Sequence, residues 1–137
     1  MRIKLDDFAY VPTRAHATDA GLDLRTPNAF ILRGGDSVTV DTGVHIELPA
    51  GFYGKIESKS GLNVNHGIVS CGGVIDEGYT GSVAVKLYNL ENEPYGFNAG
   101  DKIAQLIIQP YSVPVIEIVN QLEDTDRGDN GFGSSGR

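Results

Sequence analysis

Residues 72–81, Gly72-Gly73-Val74-Ile75-Asp76-Glu77-Gly78-Tyr79-Thr80-Gly81, place one carboxylate behind an apolar pair in a glycine-rich turn, with an aromatic ring three residues further on. A fixed carboxylate can take a proton from an attacking water, which makes Asp76 the candidate general base. Nothing in the stretch suggests a covalent intermediate. Glycine permits positive φ and close approach to the main chain, so the peptide groups of Gly73, Val74 and Ile75 can themselves contact a ligand. Taken alone, the same residues describe an ordinary β-turn, and Tyr79 an ordinary cross-strand aromatic.

Other segments carry chemistry of a matching kind. Lys59-Ser60-Gly61 puts a cation, a hydroxyl and free N–H groups at the start of a short helical stretch, as an anion site requires; a helix cap beside a surface lysine is an equal reading. Asp23 lies between two leucines in Ala20-Gly-Leu-Asp-Leu24, an unusual setting unless the carboxylate is paired or bound to water. Gln105 places an amide on an otherwise apolar strand, where it needs a hydrogen-bond partner. In the tail, Phe132 can stack on a flat base, while Arg127, Ser134, Ser135 and the N–H groups around Gly133 suit phosphates. Gly131–Gly136 fits G-x-G-x-x-G, but the dinucleotide fingerprint follows a strand and opens a helix, and here the sequence stops. His16, His45 and His66 have no metal-ligand spacing among themselves or with Cys71, so none is assigned as a ligand.

The elements that must position these groups are strands. Eighteen glycines, six prolines and short apolar runs at regular spacing predict an all-β fold, a compact jelly-roll-like barrel or sandwich of many short strands. Alternation is clearest in Val44–Leu48 and Ser82–Tyr88. Arg2–Leu5, Ala29–Leu32, Ser37–Asp41, Phe52–Ser58, Lys102–Gln109 and Pro114–Val119 are the other predicted strands. One short helix is predicted over Ser60–His66, capped by Ser60 and stopped by Gly67. Both faces of Lys102–Gln109 are largely apolar, which points to a second copy covering one of them. With 137 residues the chain predicts one domain, residues 1–137. Residues 120–137 lose periodicity and predict a flexible arm that gains order only by closing over a ligand as a lid.

Eleven Lys and Arg against eighteen Asp and Glu give a net charge of −7, which argues against nucleic-acid binding, since phosphate backbones need a basic face. An anionic ligand must then be held by a few local cations, backbone N–H groups and a metal ion. No apolar run reaches the ~18 residues of a membrane span, and no membrane association is expected. The single Cys71 has no internal disulfide partner and is expected as a small buried apolar residue. A soluble, cytoplasmic protein is the expectation.

Five segments occur in a fixed order: Ala20–Leu24, Lys59-Ser-Gly-Leu62, Gly72–Gly81, Gly100-Asp-Lys-Ile-Ala-Gln-Leu-Ile107 and Arg127–Gly136. The set resembles the five motifs of the homotrimeric dUTP pyrophosphatase (dUTPase) family and spans residues 20–136. The resemblance implies hydrolysis of dUTP between the α- and β-phosphates to dUMP and pyrophosphate, which keeps uracil out of DNA and supplies dUMP for thymidylate synthesis. It implies Asp76 as the base and Mg²⁺ held by the triphosphate and waters, with no direct protein ligand. Asp23 would organise the phosphate and metal end, and Gln105, Lys59, Ser60 and Gly61 would contact phosphates. Three subunits would share each site: hairpin from one, phosphate segments from a neighbour, lid from the third. Uracil's O4, N3–H and O2 would pair with peptide groups of residues 73–75, where cytosine opposes donor to donor, and Tyr79 would pack on the sugar and exclude a 2′-hydroxyl. The family usually carries arginine where Lys59 stands; lysine keeps the charge and loses the bidentate fork. Two other readings are weighed beside it. The related dCTP deaminases would release ammonia from dCTP, and a regulatory protein would use dUTP to switch a partner interaction.

Overall fold

The computed structural model describes residues 1–71 and 73–131. Ten strands and one helix occur in chain order: β1 Arg2–Leu5, β2 Gly21–Arg25, β3 Phe30–Leu32, β4 Ser37–Glu47, β5 Phe52–Glu57, α1 Ser60–His66, β6 Ile68–Ser70, β7 Val74–Ile75, β8 Ser82–Asn89, β9 Tyr95–Phe97 and β10 Lys102–Pro110. They form two four-stranded antiparallel sheets, ordered β1-β4-β8-β6 and β2-β10-β5-β7, with a small β3-β9 ribbon. Neither sheet closes on itself, so the jelly-roll is a sandwich rather than a barrel.

Alternation in the sequence becomes the core directly. Val83, Val85 and Leu87 of β8 are fully buried with Val44 and Ile46 of β4, and the second sheet answers with Leu24, Ile56 and Leu106. Two expected strands, Ser37–Asp41 and Val44–Leu48, form one strand whose pairing with β8 slips between Asp41 and His45, where Gly43 takes φ +65°. A slip of the same kind between Lys102 and Ala104 lets both Ile103 and Ala104 turn inward, so β10 departs from strict alternation.

Three expectations are corrected. Helix α1 keeps its predicted bounds and its Gly67 stop, but its N-cap residue is Lys59 and no side chain caps it. Residues 114–119 form no strand within the chain; they pair with none of the described strands, and Val115, Ile116 and Ile118 stand 87–97% exposed. Cys71 is exposed, because it follows the short edge strand β6 instead of sitting inside the sandwich. Among the described residues no helix is long and apolar enough to cross a membrane.

Candidate active site

The central hairpin sits at the open edge of the second sheet. Among the described residues strand β7 pairs only with β5, Val74 opposite Lys55 and Ile75 opposite Gly54. Ile56 N–H donates to the Gly73 carbonyl at 2.8 Å, so that carbonyl faces β5. Successive residues of a strand turn their peptide groups to opposite sides, which leaves the Val74 N–H and C=O pointing to the free edge. Gly73 has φ +113°, and a Cβ there would lie 2.5 Å from Ile56 Cβ, so only glycine brings the hairpin this close to β5. Ile75 is buried and anchors the turn, while Val74 and Asp76 are exposed. Among the described residues the Asp76 carboxylate accepts no hydrogen bond; its main-chain carbonyl accepts from Tyr79 N–H at 3.0 Å and closes the turn.

Tyr79 folds back over the next residues, its hydroxyl donating to the Ser82 carbonyl at 3.0 Å. A Cβ on Gly81 would stand 2.4 Å from the Tyr79 Oη, so the ring rests where a larger residue would be. Two cavities flank the hairpin. One of about 290 Å³ is lined by residues 73–76 with Tyr79, Ser82 and Ala84. The other, about 460 Å³, lies between Asp76, Glu77 and the rings of Tyr53 and Tyr111. Glu77 ties this side down, accepting from Gly51 N–H and the Tyr111 hydroxyl, both at 2.8 Å. Those two bonds hold its carboxyl below the usual carboxylate range.

A second cluster forms in the same sheet. Gln105 of β10 lies in register between Asp23 of β2 and Glu57 of β5, and the chain leaves β5 directly into Ser58-Lys59-Ser60-Gly61. Gln105 Nε2 donates to the Ser58 carbonyl at 3.0 Å, so this amide fixes the entry to the Lys59 loop. Asp23, only 4% exposed, accepts from the Lys59 ammonium at Oδ1, and Lys102 Nζ lies 2.6 Å from Oδ2. The Lys102 contact is off the hydrogen-bonding line, and Oδ2 receives no aligned donor among the described residues. The two form an ion pair all the same, because charges this close attract without an ideal angle. Lys102 was not singled out from the sequence; its only signal is its place in Gly100-Asp-Lys, and the register with β2 is what brings it to Asp23.

Burial pushes the Asp23 carboxyl up, and Lys102 and Lys59 more than reverse this, leaving it below the usual range. The folded chain therefore holds this proton less tightly than the unfolded chain. The stabilisation is complete above the unfolded value of about 4 and is lost as pH falls through the lower folded value. Asp23→Asn is expected to cost about 2 kcal/mol at pH 7, less than the roughly 3–5 of a fully buried pair because both lysines are partly exposed. Acid melting curves check this. The variant's stability should fall less steeply below pH 4 than the parent's.

Neither hairpin cavity is lined by Asp23, Lys59 or Gln105. The hairpin and the Asp23–Lys59–Gln105 cluster are thus separate places on the one chain. Of the tail, Arg127 is exposed and sits in a tight turn, its Nε donating to the Asn130 carbonyl at 3.3 Å and Asn130 N–H to the Arg127 carbonyl at 3.0 Å. Phe132, Gly133, Ser134 and Ser135 lie outside the described residues.

The fold is thus a jelly-roll sandwich whose edge hairpin leaves free peptide groups beside an exposed carboxylate. The family model described as dUTPase matches residues 7–136. This chain belongs to the dUTPase family. The deoxyuridine 5'-triphosphate nucleotidohydrolase of Mus musculus is 42% identical over 135 residues, 98% of this chain and 83% of its own length. The mitochondrial Homo sapiens counterpart is also 42% identical, but this chain spans only 53% of it. Among solved structures, a mutant dUTPase of Staphylococcus bacteriophage 80alpha with dUpNHpp superposes with a TM-score of 0.92 at 28% identity, covering 99% of this chain and 98% of that one. A mutant dUTPase from phage phi11 of S. aureus, described as revealing the coordination of a structural Mg(II) ion, has a TM-score of 0.82 at 27% identity over 90% of this chain and 98% of its own.

Proposed function

We propose that this protein hydrolyses dUTP to dUMP and pyrophosphate, keeping uracil out of DNA and supplying dUMP. The observation that carries the reading is the edge hairpin, where the Val74 N–H and C=O face outward next to the exposed Asp76 carboxylate. Uracil pairs with those peptide groups and Asp76 draws a proton from water. That water attacks the α-phosphorus, a P–O bond to it forms, the bond to the α–β bridging oxygen breaks, and pyrophosphate leaves with the bonding electrons. Cytosine would leave a donor facing a donor, a loss large enough to reject it.

Lys59, Ser60, Gly61 and Gln105 take the phosphates, with Asp23 holding Lys59 in place until the substrate arrives. Arg127, Gly133, Ser134 and Ser135 close over the phosphates from the tail, and Phe132 covers the base. The separation of the two half-sites, and the exposed Val113–Val119 stretch with its unpaired apolar side chains, support a homotrimer that shares each site among subunits. In this reading residues 1–137 are one domain and 120–137 its lid, in a soluble cytoplasmic enzyme.

Magnesium fits this donor set only indirectly. The one carboxylate beside Lys59 is Asp23, already committed to two ammonium groups, and the described residues hold no group of three metal-ligating side chains. The triphosphate and waters would carry Mg²⁺, with Asp23 bonding a metal-bound water, and the ion would supply charge neutralisation on the phosphates. Hydrolysis in ¹⁸O-water tests the route. Label should appear in dUMP and not in pyrophosphate; label in pyrophosphate would move the attack to the β-phosphorus.

Gly81→Ala gives a second check on Tyr79. The variant should fold, since only the end of the Tyr79 side chain must move, but dUTP-over-UTP discrimination in kcat/KM should fall about tenfold. Unchanged discrimination would remove Tyr79 from sugar selection.

A further inference from the structure

His45 belongs to no motif of the sequence, yet it reaches the loop that carries Tyr79. It lies on β4, in register with Lys4 of β1 on one side and Ser82 of β8 on the other. Its Nδ1 is 2.8 Å from the Thr80 carbonyl oxygen, and its Nε2 is 3.3 Å from the Asp6 carboxylate. A carbonyl oxygen and a carboxylate can only accept, so the two contacts are both hydrogen bonds when each ring nitrogen carries a proton and donates, Nδ1 to Thr80 and Nε2 to Asp6. Asp6 is itself fixed, its N–H donating to the Gly43 carbonyl at 2.9 Å in the irregular stretch of β4. With 20% of its side chain exposed, His45 is held on both edges of the ring rather than free at the surface.

The peptide it holds matters because of where it lies. The Thr80 carbonyl belongs to the Thr80–Gly81 peptide, and Gly81 is the floor on which the Tyr79 ring rests, with room for no Cβ beneath the hydroxyl. Among the described residues Tyr79 itself makes two hydrogen bonds, to the Asp76 carbonyl and the Ser82 carbonyl. Ser82 in turn donates to Asp41 of β4, so the floor is fastened to β4 at two points.

We propose that His45, anchored by Asp6, is a positioning residue that holds the Thr80–Gly81 peptide and thereby sets the height of the Tyr79 ring against the sugar. The inference rests on the reading of Tyr79 as the sugar contact. It places part of the choice between deoxyribose and ribose on a strand that lines neither hairpin cavity.

The test uses His45→Ala and Asp6→Asn in the full chain, with two readouts. Amide hydrogen exchange at Gly81 and Ser82 should accelerate about tenfold in His45→Ala, while Val83 and Val85 in the core stay protected. The kcat/KM ratio of dUTP to UTP should fall about tenfold with kcat on dUTP within about threefold of the parent; Asp6→Asn should show the same pattern more weakly, and the double variant should add little. Unchanged exchange at Gly81 and Ser82 would overturn the proposal. So would faster exchange with an unaltered nucleotide ratio, or an equal loss on both nucleotides, since either makes His45 merely structural. Should His45→Ala not fold, His45→Asn carries the same two readouts. Exchange is measured without substrate, so a protein that fails to hydrolyse dUTP would defeat the proposed activity and leave the anchoring result to stand or fall separately.

Discussion

Asp76→Asn is expected to lower turnover of dUTP about a thousandfold while leaving its affinity within a few-fold of the parent. General-base catalysis contributes roughly 10²–10⁴ in rate, and the amide has the carboxylate's shape without its basicity. Two features of the site make the split between rate and binding sharp. The carboxylate is exposed and accepts no hydrogen bond among the described residues, so its loss leaves no partner stranded and the hairpin keeps its shape. Binding in this account comes from peptide groups at the β7 edge, from Tyr79 and from the lysine and glycine groups around Lys59, none of which the substitution alters. Single-turnover rates with calorimetric titration of dUTP on the variant check both halves. A variant that retains turnover would remove Asp76 as the base, and one that loses binding would make it a substrate contact.

Removing residues 126–137 is expected to reduce kcat/KM by about a hundredfold or more without lowering the melting temperature or dissociating the assembly. The described part of this segment is exposed throughout and is stabilised by its own turn at Arg127. That described part contributes nothing to the core, so loss of the segment should be silent in stability. In the proposed function its contribution to the reaction is closure: excluding water and adding donors where charge develops on the phosphates, effects of the order of 10²–10³. Light scattering and thermal melting on the truncated chain, beside its kinetics, separate the two roles. A truncated chain that falls to monomers would make the tail a structural strap.

Much of this architecture can be read from residue order because it depends on local pattern. Val83, Val85 and Leu87 alternate in β8 with the outward-facing Ser82, Ala84, Lys86 and Tyr88, and the structure buries each of the three fully. Helix α1 is legible from Ser60 to His66, since Gly67 marks its end with the left-handed φ of +58° that glycine accepts freely. What escaped is non-local. The partnership of Lys102 with Asp23 depends on which strand lies next to β10, and the Thr80 contact of His45 spans 35 residues of chain. The β-branched residues of Pro114–Val119 suit a strand, but a strand exists only when it is paired, and this segment pairs with no described strand of its own chain. Cys71 misled for a similar reason: composition says that cysteines tend to be buried, while its position beyond a three-residue edge strand puts it outside.

The candidate site divides along the same line. The hairpin is legible because glycines, carboxylate and tyrosine are neighbours in sequence; the lysine and glutamine cluster needs three strands in register before it exists. Lysine at position 59 adds a feature the resemblance alone does not explain. Its ammonium is engaged by a buried carboxylate, so a triphosphate must compete with Asp23 for it.

The measurement that tests the central claim most directly is pyrophosphate release from dUTP, UTP, dCTP and dTTP by the purified protein, in Mg²⁺ and after chelation, with the assembly sized by light scattering. Release from dUTP alone, by a trimer, lost on chelation, is the predicted result. Comparable release from dCTP or UTP would contradict the reading of the Val74 edge and Tyr79 as selective contacts, and tight binding of dUTP without any release would contradict hydrolysis itself.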